Sequence, residues 1–257
     1  MNAAFAWTRG VALAIPVLAV LAASMAACDE SATSIAASEA AAAVASPVAS
    51  AAPSAVAPEP PRPPDIIVDR SSVSIGREKV PMGEPGLANA LVTLLSGQPA
   101  VAGESVDVVV MRNAKPSQVQ GVLLALQAAK ATGATVKTET RDGATAKLPV
   151  SFAKSLADCA TVAWIAKDAA IEVWPAGGGK AKRVIRGLAG PDMTLGTEAM
   201  RSQGEGCNAP EVAVGAEDSM NWGLLFDLGT SALTAPGARA SKAVLVPTAV
   251  PGRKLTL

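Results

Sequence analysis

Apolar positions follow three patterns along the 257-residue chain. Val11 to Ala27 is one run free of charge, Asp29 to Pro64 has no apolar periodicity, and from Asp65 onward short β-branched runs alternate with segments of helical spacing. Asp65-Ile-Ile-Val-Asp-Arg-Ser-Ser-Val-Ser-Ile-Gly76 sets two β-prone runs around a polar turn and predicts a hairpin. Leu87, Leu91, Leu94 and Leu95 predict a helix that Gly97 ends. Val106 to Met111 predicts a strand buried on both faces. Pro116 is placed to open a second helix with an apolar stripe of Val119, Val122, Leu123 and Leu126, ending between Lys130 and Gly133. Thr135 to Thr140 closes the unit as a strand, in the order β-β-α-β-α-β.

The same order is predicted again further on. Thr161 to Ala166 and Ile171 to Trp174 flank Lys167-Asp168 as a hairpin, and Gly177-Gly-Gly179 turns into a third run, Arg183 to Ile185. Leu195 to Met200 predicts a short helix, Glu211 to Val214 a strand, Trp222 to Leu233 a helix capped by Asp218 or Ser219, and Lys242 to Val246 a last strand. Gly121-Val-Leu-Leu-Ala-Leu126 and Gly223-Leu-Leu-Phe-Asp-Leu228 share a pattern, which points to duplication. The expected fold is α/β, in a two-layer α+β arrangement of two tandem β-β-α-β-α-β modules. Its divisions are a signal segment 1–28, a disordered linker 29–64, a first module 65–143, a linker 144–156, a second module 157–250 and a tail 251–257. Right-handed crossovers would put each module's helices on one sheet face.

The first two segments carry an address. Arg9 followed by the apolar run reads as a secretion signal, and Leu21-Ala-Ala-Ser-Met-Ala-Ala-Cys28 ends like a lipobox, with Met25 where Leu is usual. Lipidation at Cys28 is the leading expectation, with ordinary signal cleavage and an uncleaved anchor as alternatives. The linker that follows holds 13 Ala, 7 Pro and 6 Ser, a composition that cannot bury a core. The expected location is the periplasmic side of a bacterial envelope membrane, anchored by lipid. In an exported chain Cys159 and Cys207 are expected to form a disulfide, leaving Cys28 for lipid; two buried thiols are the alternative.

Composition narrows the chemistry. The chain has no His, which removes imidazole-dependent nucleophile pairs, imidazole zinc sites and the usual general bases near neutral pH. Its 22 basic and 22 acidic groups balance, so it has no electrostatic footprint for nucleic acid. No cofactor or metal is expected.

The first unit resembles the periplasmic domain of the ExbD/TolR family of biopolymer-transport proteins. The likeness is carried by Ile66 to Gly76, by Val106 to Arg112, and by the helix ending Leu124-Ala-Leu-Gln-Ala-Ala-Lys-Ala-Thr-Gly-Ala134. The second unit looks like a diverged copy. The resemblance implies a non-catalytic docking or binding component of a proton-motive-force-linked transport system. Implied partners are ExbB/TolQ- or TonB/TolA-type envelope proteins, peptidoglycan for some members, and a second copy of the chain. The family's proton-coupling aspartate, however, lies in its transmembrane helix, and Val11 to Ala27 contains no Asp or Glu. Rival readings are a stand-alone cell-wall- or protein-binding lipoprotein and a carboxylate-dependent envelope enzyme.

Several groups invite a function beside a structural reading. Gly177-Gly-Gly-Lys180 lacks phosphate-loop spacing and reads as a flexible hairpin loop. Asp192 and Thr194 are candidate helix caps, and Glu217 and Asp218 are expected to complement a helix N-terminus. An enzyme would need Asp192, Glu217 and Asp218 in one cleft. Asp227 is expected on an exposed helical face or at a partner contact. Trp164, Trp174 and Trp222 are expected in the core, with Trp174 beside Pro175 as a candidate exposed anchor. Sheet edges could accept a partner peptide.

Overall fold

The computed structural model describes residues 62–83 and 86–257. The expected signal segment, Cys28 and residues 29–61 of the expected linker lie outside the described residues. Among the described residues no helix is long and apolar enough to cross a membrane.

Among the described residues, eleven strands and four helices follow one another as β1 (Ile66–Val68), β2 (Ser72–Ile75), β3 (Glu78–Pro81), α1 (Leu87–Ser96), β4 (Ser105–Val110), α2 (Pro116–Ala128), β5 (Gly133–Glu139), β6 (Thr145–Ser151), β7 (Thr161–Ile165), β8 (Ile171–Pro175), β9 (Lys182–Val184), α3 (Met193–Gln203), β10 (Glu211–Ala216), α4 (Trp222–Thr234) and β11 (Lys242–Leu245). All strands belong to one mixed sheet of order β3-β2-β1-β4-β5-β6-β11-β10-β7-β8-β9. The helices pack as neighbours in the sequence α1-α2-α4-α3. The fold is therefore α/β, one mixed sheet bearing helices.

The element pattern recurs along the chain. β1-β2-β3 is an antiparallel meander, with β4 and β5 added in parallel beyond β1; β7-β8-β9 is another, with β10 and β11 added in parallel beyond β7. β4 and β10 have 6 residues each, and α2 and α4 have 13 each. On that alignment the shared Gly-Val-Leu-Leu and Gly-Leu-Leu-Phe strings do not coincide. Gly121 is the sixth residue of α2 and Gly223 the second of α4, one helical turn out of register.

Two expectations about the connections need correction. β3 was not expected, because Glu78-Lys-Val-Pro81 is a short polar edge with little apolar signal. More consequentially, the expected linker 144–156 contains β6, which pairs antiparallel with β5 over its whole length. Pro149, which has no N–H to give a ladder, stands within this strand opposite Thr135. Leu148 and Val150 nevertheless face the core, and β6 meets β11 in parallel at one register pair, Ala243 with Val150. Instead of separating two modules, this segment joins their strands into one sheet. The main core is likewise continuous, running from Ile66, Leu95, Val108 and Leu126 through Leu148 to Val214, Trp222, Phe226 and Ala243.

β4 also differs from expectation. Val106, Val108 and Val110 are buried, whereas Asp107 and Val109 point to the open side, the alternation of a sheet with one covered face. β7 is buried at every position, because a second, smaller core lies on the opposite face. There Val162, Trp164, Trp174, Ala213 and Val246 pack with Leu156, Ala249 and Leu255, so the segments before β7 and after β11 cover the sheet. The tail is held by hydrogen bonds from Trp174 Nε1 to the Arg253 carbonyl (3.0 Å) and from Leu255 N to the Ala176 carbonyl (2.8 Å).

Cys159 and Cys207 are joined by a disulfide with Cα atoms 5.7 Å apart. It ties the approach to β7 to the turn after α3 across 48 positions of chain.

Candidate functional site

The loops after β4 and β10 have equal lengths and meet each other. Ser117, the second residue of α2, donates its N–H to Asp218 Oδ1 at 3.2 Å; Gly223, the second residue of α4, donates to the Arg112 carbonyl at 2.9 Å. Arg112 and Asp218 occupy matching loop positions, Asp218 accepting through its carboxylate and Arg112 through its backbone carbonyl. Trp222 N also donates to the Ala114 carbonyl at 2.8 Å.

An ion pair closes this junction. Arg112 Nη1 donates to Asp227 Oδ1 at 3.0 Å and Nη2 to Oδ2 at 2.6 Å, a two-pronged contact of the strong kind. The guanidinium also donates to the Glu139 and Gly223 carbonyls. Its proton affinity is raised above the ordinary value by the bond to Asp227, against the opposing effect of burial. The guanidinium packs directly on Gly223, where a Cβ would stand 2.9 Å from it and would have to displace the arginine. Asp227, expected on an open face or at a partner, is thus taken up inside the chain. Nearby, the fully buried Trp222 donates from Nε1 to Thr138 Oγ1 at 2.8 Å.

Beside this junction runs a groove. Its first lobe, ≈ 270 Å³, is lined by Pro116, Ser117 and Gln120 of α2 and by Glu217, Asp218 and Thr248 at the strand ends. Its second lobe, ≈ 370 Å³, lies between Leu123, Leu124 and Gln127 of α2 and the segments Val150–Lys154 and Val244–Pro247. Gln120, Leu245 and Pro247 line both lobes, which makes the groove continuous. The second lobe opens where β6 and β11 run past their single register pair. Its walls are mainly apolar: Leu123, Leu124, Phe152, Leu245 and Leu257. Leu124 is 57% exposed and stands among the other apolar residues of this wall.

The acids expected to meet do so only in part. Glu217 and Asp218 share the first lobe, and neither forms an ion pair among the described residues. Asp192 is not among the residues lining that lobe; it caps α3, accepting from Leu195 N at 3.0 Å. Asp218 faces the N-terminus of α2, whereas the helix it was expected to cap, α4, begins at Asn221 without a side-chain cap. Among the described residues no group of three Cys, Asp or Glu side chains is gathered as a metal site would need.

Other expected positions resolve structurally. Gly177 and Gly179 are pinned by N–H bonds to the Asp158 and Gly252 carbonyls, so the glycine loop is a docking point for the tail. Trp174 is fully buried under that tail, which removes it as an exposed anchor. Arg183 binds both Glu172 and Asp168, and the Asp168 carboxyl is lowered first by the Ala170 N–H and then by Arg183. Asp69 accepts from the backbone and hydroxyl groups of Ser71 and Ser72, which hold its pKa at about 2, led by the Ser71 hydroxyl and opposed by burial. The sheet edges are short, with 4 residues in β3 and 3 in β9.

The groove was not legible in the sequence. Gln120, Leu124, Phe152 and Leu245 come from three distant segments, and none carries a motif. The nearest signal was Leu124, which lies next to the predicted apolar stripe of its helix and outside it. Comparison with known proteins finds no family model, no curated protein and no solved structure that matches this chain.

Proposed function

We propose that this is a non-catalytic docking protein of the bacterial envelope, built from two tandem ExbD/TolR-like modules fused through β6. The tandem reading is supported by the recurring strand order and by the matching positions of the Ser117 and Gly223 bonds. The observation that carries the docking function is the groove along α2, whose apolar second lobe leaves Leu124 open to solvent. Proteins place exposed apolar surface of this kind where something binds. The signal-like run Val11 to Ala27 and Cys28 support a place on the periplasmic side of a membrane, held by lipid, and the resemblance suggests ExbB/TolQ- or TonB/TolA-type proteins as partners. The lack of an acid in Val11 to Ala27 favours docking without proton coupling.

A photo-crosslinking amino acid at position 124 tests this in intact cells. The expected result is a discrete adduct with an envelope protein of those types, absent when the same group replaces Leu188, a fully exposed residue outside the groove. Equal labelling from both positions, or none from position 124, overturns the docking site. Cys28→Ala is expected to abolish palmitate labelling; unchanged labelling removes the anchor.

A further inference from the structure

The groove carries two acidic side chains at one end, over a floor that includes Trp164, Leu225 and Val246, and is mainly apolar at the other, and this asymmetry specifies an occupant. Glu217 and Asp218 in the first lobe are exposed and lack a cationic partner among the described residues. Asp218 gives one carboxylate oxygen to Ser117 N–H and keeps the other free of any described hydrogen bond. Gln120, at the junction of the lobes, can donate and accept. Beyond it the walls are mainly leucine, phenylalanine and valine, with Gln127, Ser151 and the exposed cation Lys154 at their margin and no acidic side chain.

Length matters as well. The stretch Pro116 to Gln127 lines the groove from end to end, about 17 Å along a helix axis. At about 3.3 Å per residue an extended segment of five residues spans it. Leu257, in an irregular segment, already lines the second lobe, so that wall accepts a leucine side chain.

We propose that the groove receives an extended peptide whose basic side chain lies over Glu217 and Asp218 and whose following apolar side chains fill the lobe of Leu123, Leu124, Phe152 and Leu245. This rests on the docking reading and adds the chemistry and direction of the partner segment. Charge complementarity supplies the direction, since a basic group in the apolar lobe would lose its hydration without a counter-charge.

The test uses the purified full chain and three fluorescein-labelled peptides: Lys-Ser-Leu-Ser-Leu, Glu-Ser-Leu-Ser-Leu and Lys-Ser-Ser-Ser-Ser. Fluorescence anisotropy is expected to show saturable binding of the first peptide, at least about tenfold weaker binding of the other two, and weakening as salt shortens the screening length. Glu217→Lys, at an exposed position, leaves Asp218 beside a new cation and is expected to abolish the preference between the lysine and glutamate peptides. Leu124→Asp is expected to abolish binding of both leucine-bearing peptides. Equal binding of the lysine and glutamate peptides, an unchanged preference in Glu217→Lys, or no binding by any peptide overturns the inference. A silent peptide series combined with a persistent crosslink at position 124 removes the charge rule and leaves the docking reading standing; loss of both removes both.

Discussion

Ile67 and Trp164 hold the same place in the two halves of the sheet, and they meet opposite fates. Each belongs to the strand that joins its meander to the parallel pair, Ile67 as the second of three residues and Trp164 as the fourth of five, and each sits beside the fifth residue of the neighbouring parallel strand: Val109 for Ile67, Gly215 for Trp164. Ile67 and Val109 are both 39% exposed, whereas Trp164 is 5% exposed. A Cβ on Gly215 would come within 2.5 Å of the indole, so the missing side chain there makes room for the large one. The tail then covers the pair through Val246 and Ala249. Among the described residues, one architecture thus carries a one-faced sheet in its first half and a two-faced sheet in its second. The difference lies in the described segments that cover the outer side of the second half.

The largest effect should separate these two positions. Trp164→Ala removes a buried indole and is expected to cost about 3–5 kcal/mol in urea unfolding. Ile67→Ala, at the exposed counterpart, should cost less than about 1 kcal/mol. Similar losses at both sites would mean that the outer face of the first half is covered in solution.

The disulfide strengthens the same contrast, since it closes a loop only in the second half. The double variant Cys159→Ala/Cys207→Ala is expected to lose about 2–4 kcal/mol, read by the same unfolding experiment. A stability within experimental error of the parent chain would show that the tail and small core suffice without it.

The seam between the halves comes next. Arg112→Met removes the two-pronged contact with Asp227 and leaves a half-buried carboxylate with the exposed Arg141 as its remaining cation. A loss of about 1–2 kcal/mol is expected, with faster amide exchange at the start of α4. Lys137→Met, which breaks the exposed pair with Asp107 on the bare face, should change stability by less than about 0.5 kcal/mol. If the two substitutions behave alike, the Arg112 contact is no more than a surface pair.

The smallest effect is a pH dependence in the first hairpin. The Asp69 carboxyl lies at about 2, below its ordinary 3.8, because Ser71 and Ser72 donate to the ionised form. A depressed carboxyl stabilises the fold above its unfolded value and loses that contribution as pH falls through its folded value. Asp69→Ala should therefore cost about 1 kcal/mol at pH 7, allowing for solvent screening of a largely exposed group. The gap to the parent chain should narrow below pH 4 and vanish near pH 2. A gap that stays constant down to pH 2 would assign the effect to turn geometry alone.

Much of the local structure was legible because it follows from local physics. Apolar spacing marked all four helices, Pro116 fixed the start of α2, and β-branched runs marked most strands. Asp192 could be read as a cap because a cap is a relation over three residues. The failures share a different cause. β6 was hidden by Pro149 and by a polar stretch whose inward residues, Leu148 and Val150, gain meaning only between two neighbouring strands. Asp107 could not show that β4 has an open face, since burial depends on what lies across the sheet. The repeated glycine string suggested a register one turn away from the structural one, because helical stripes repeat at that interval.

By itself the sequence determined the element types, the chemistry that a chain without histidine cannot perform, and the cysteines available for a bridge. Those properties reside in single residues and short windows. The tertiary structure decided that two similar sets of strands form one sheet, that Asp227 belongs to Arg112, and that Leu124 borders a groove with acids at its other end. These depend on side chains separated by tens to hundreds of residues, and their contacts exist only once the chain has folded.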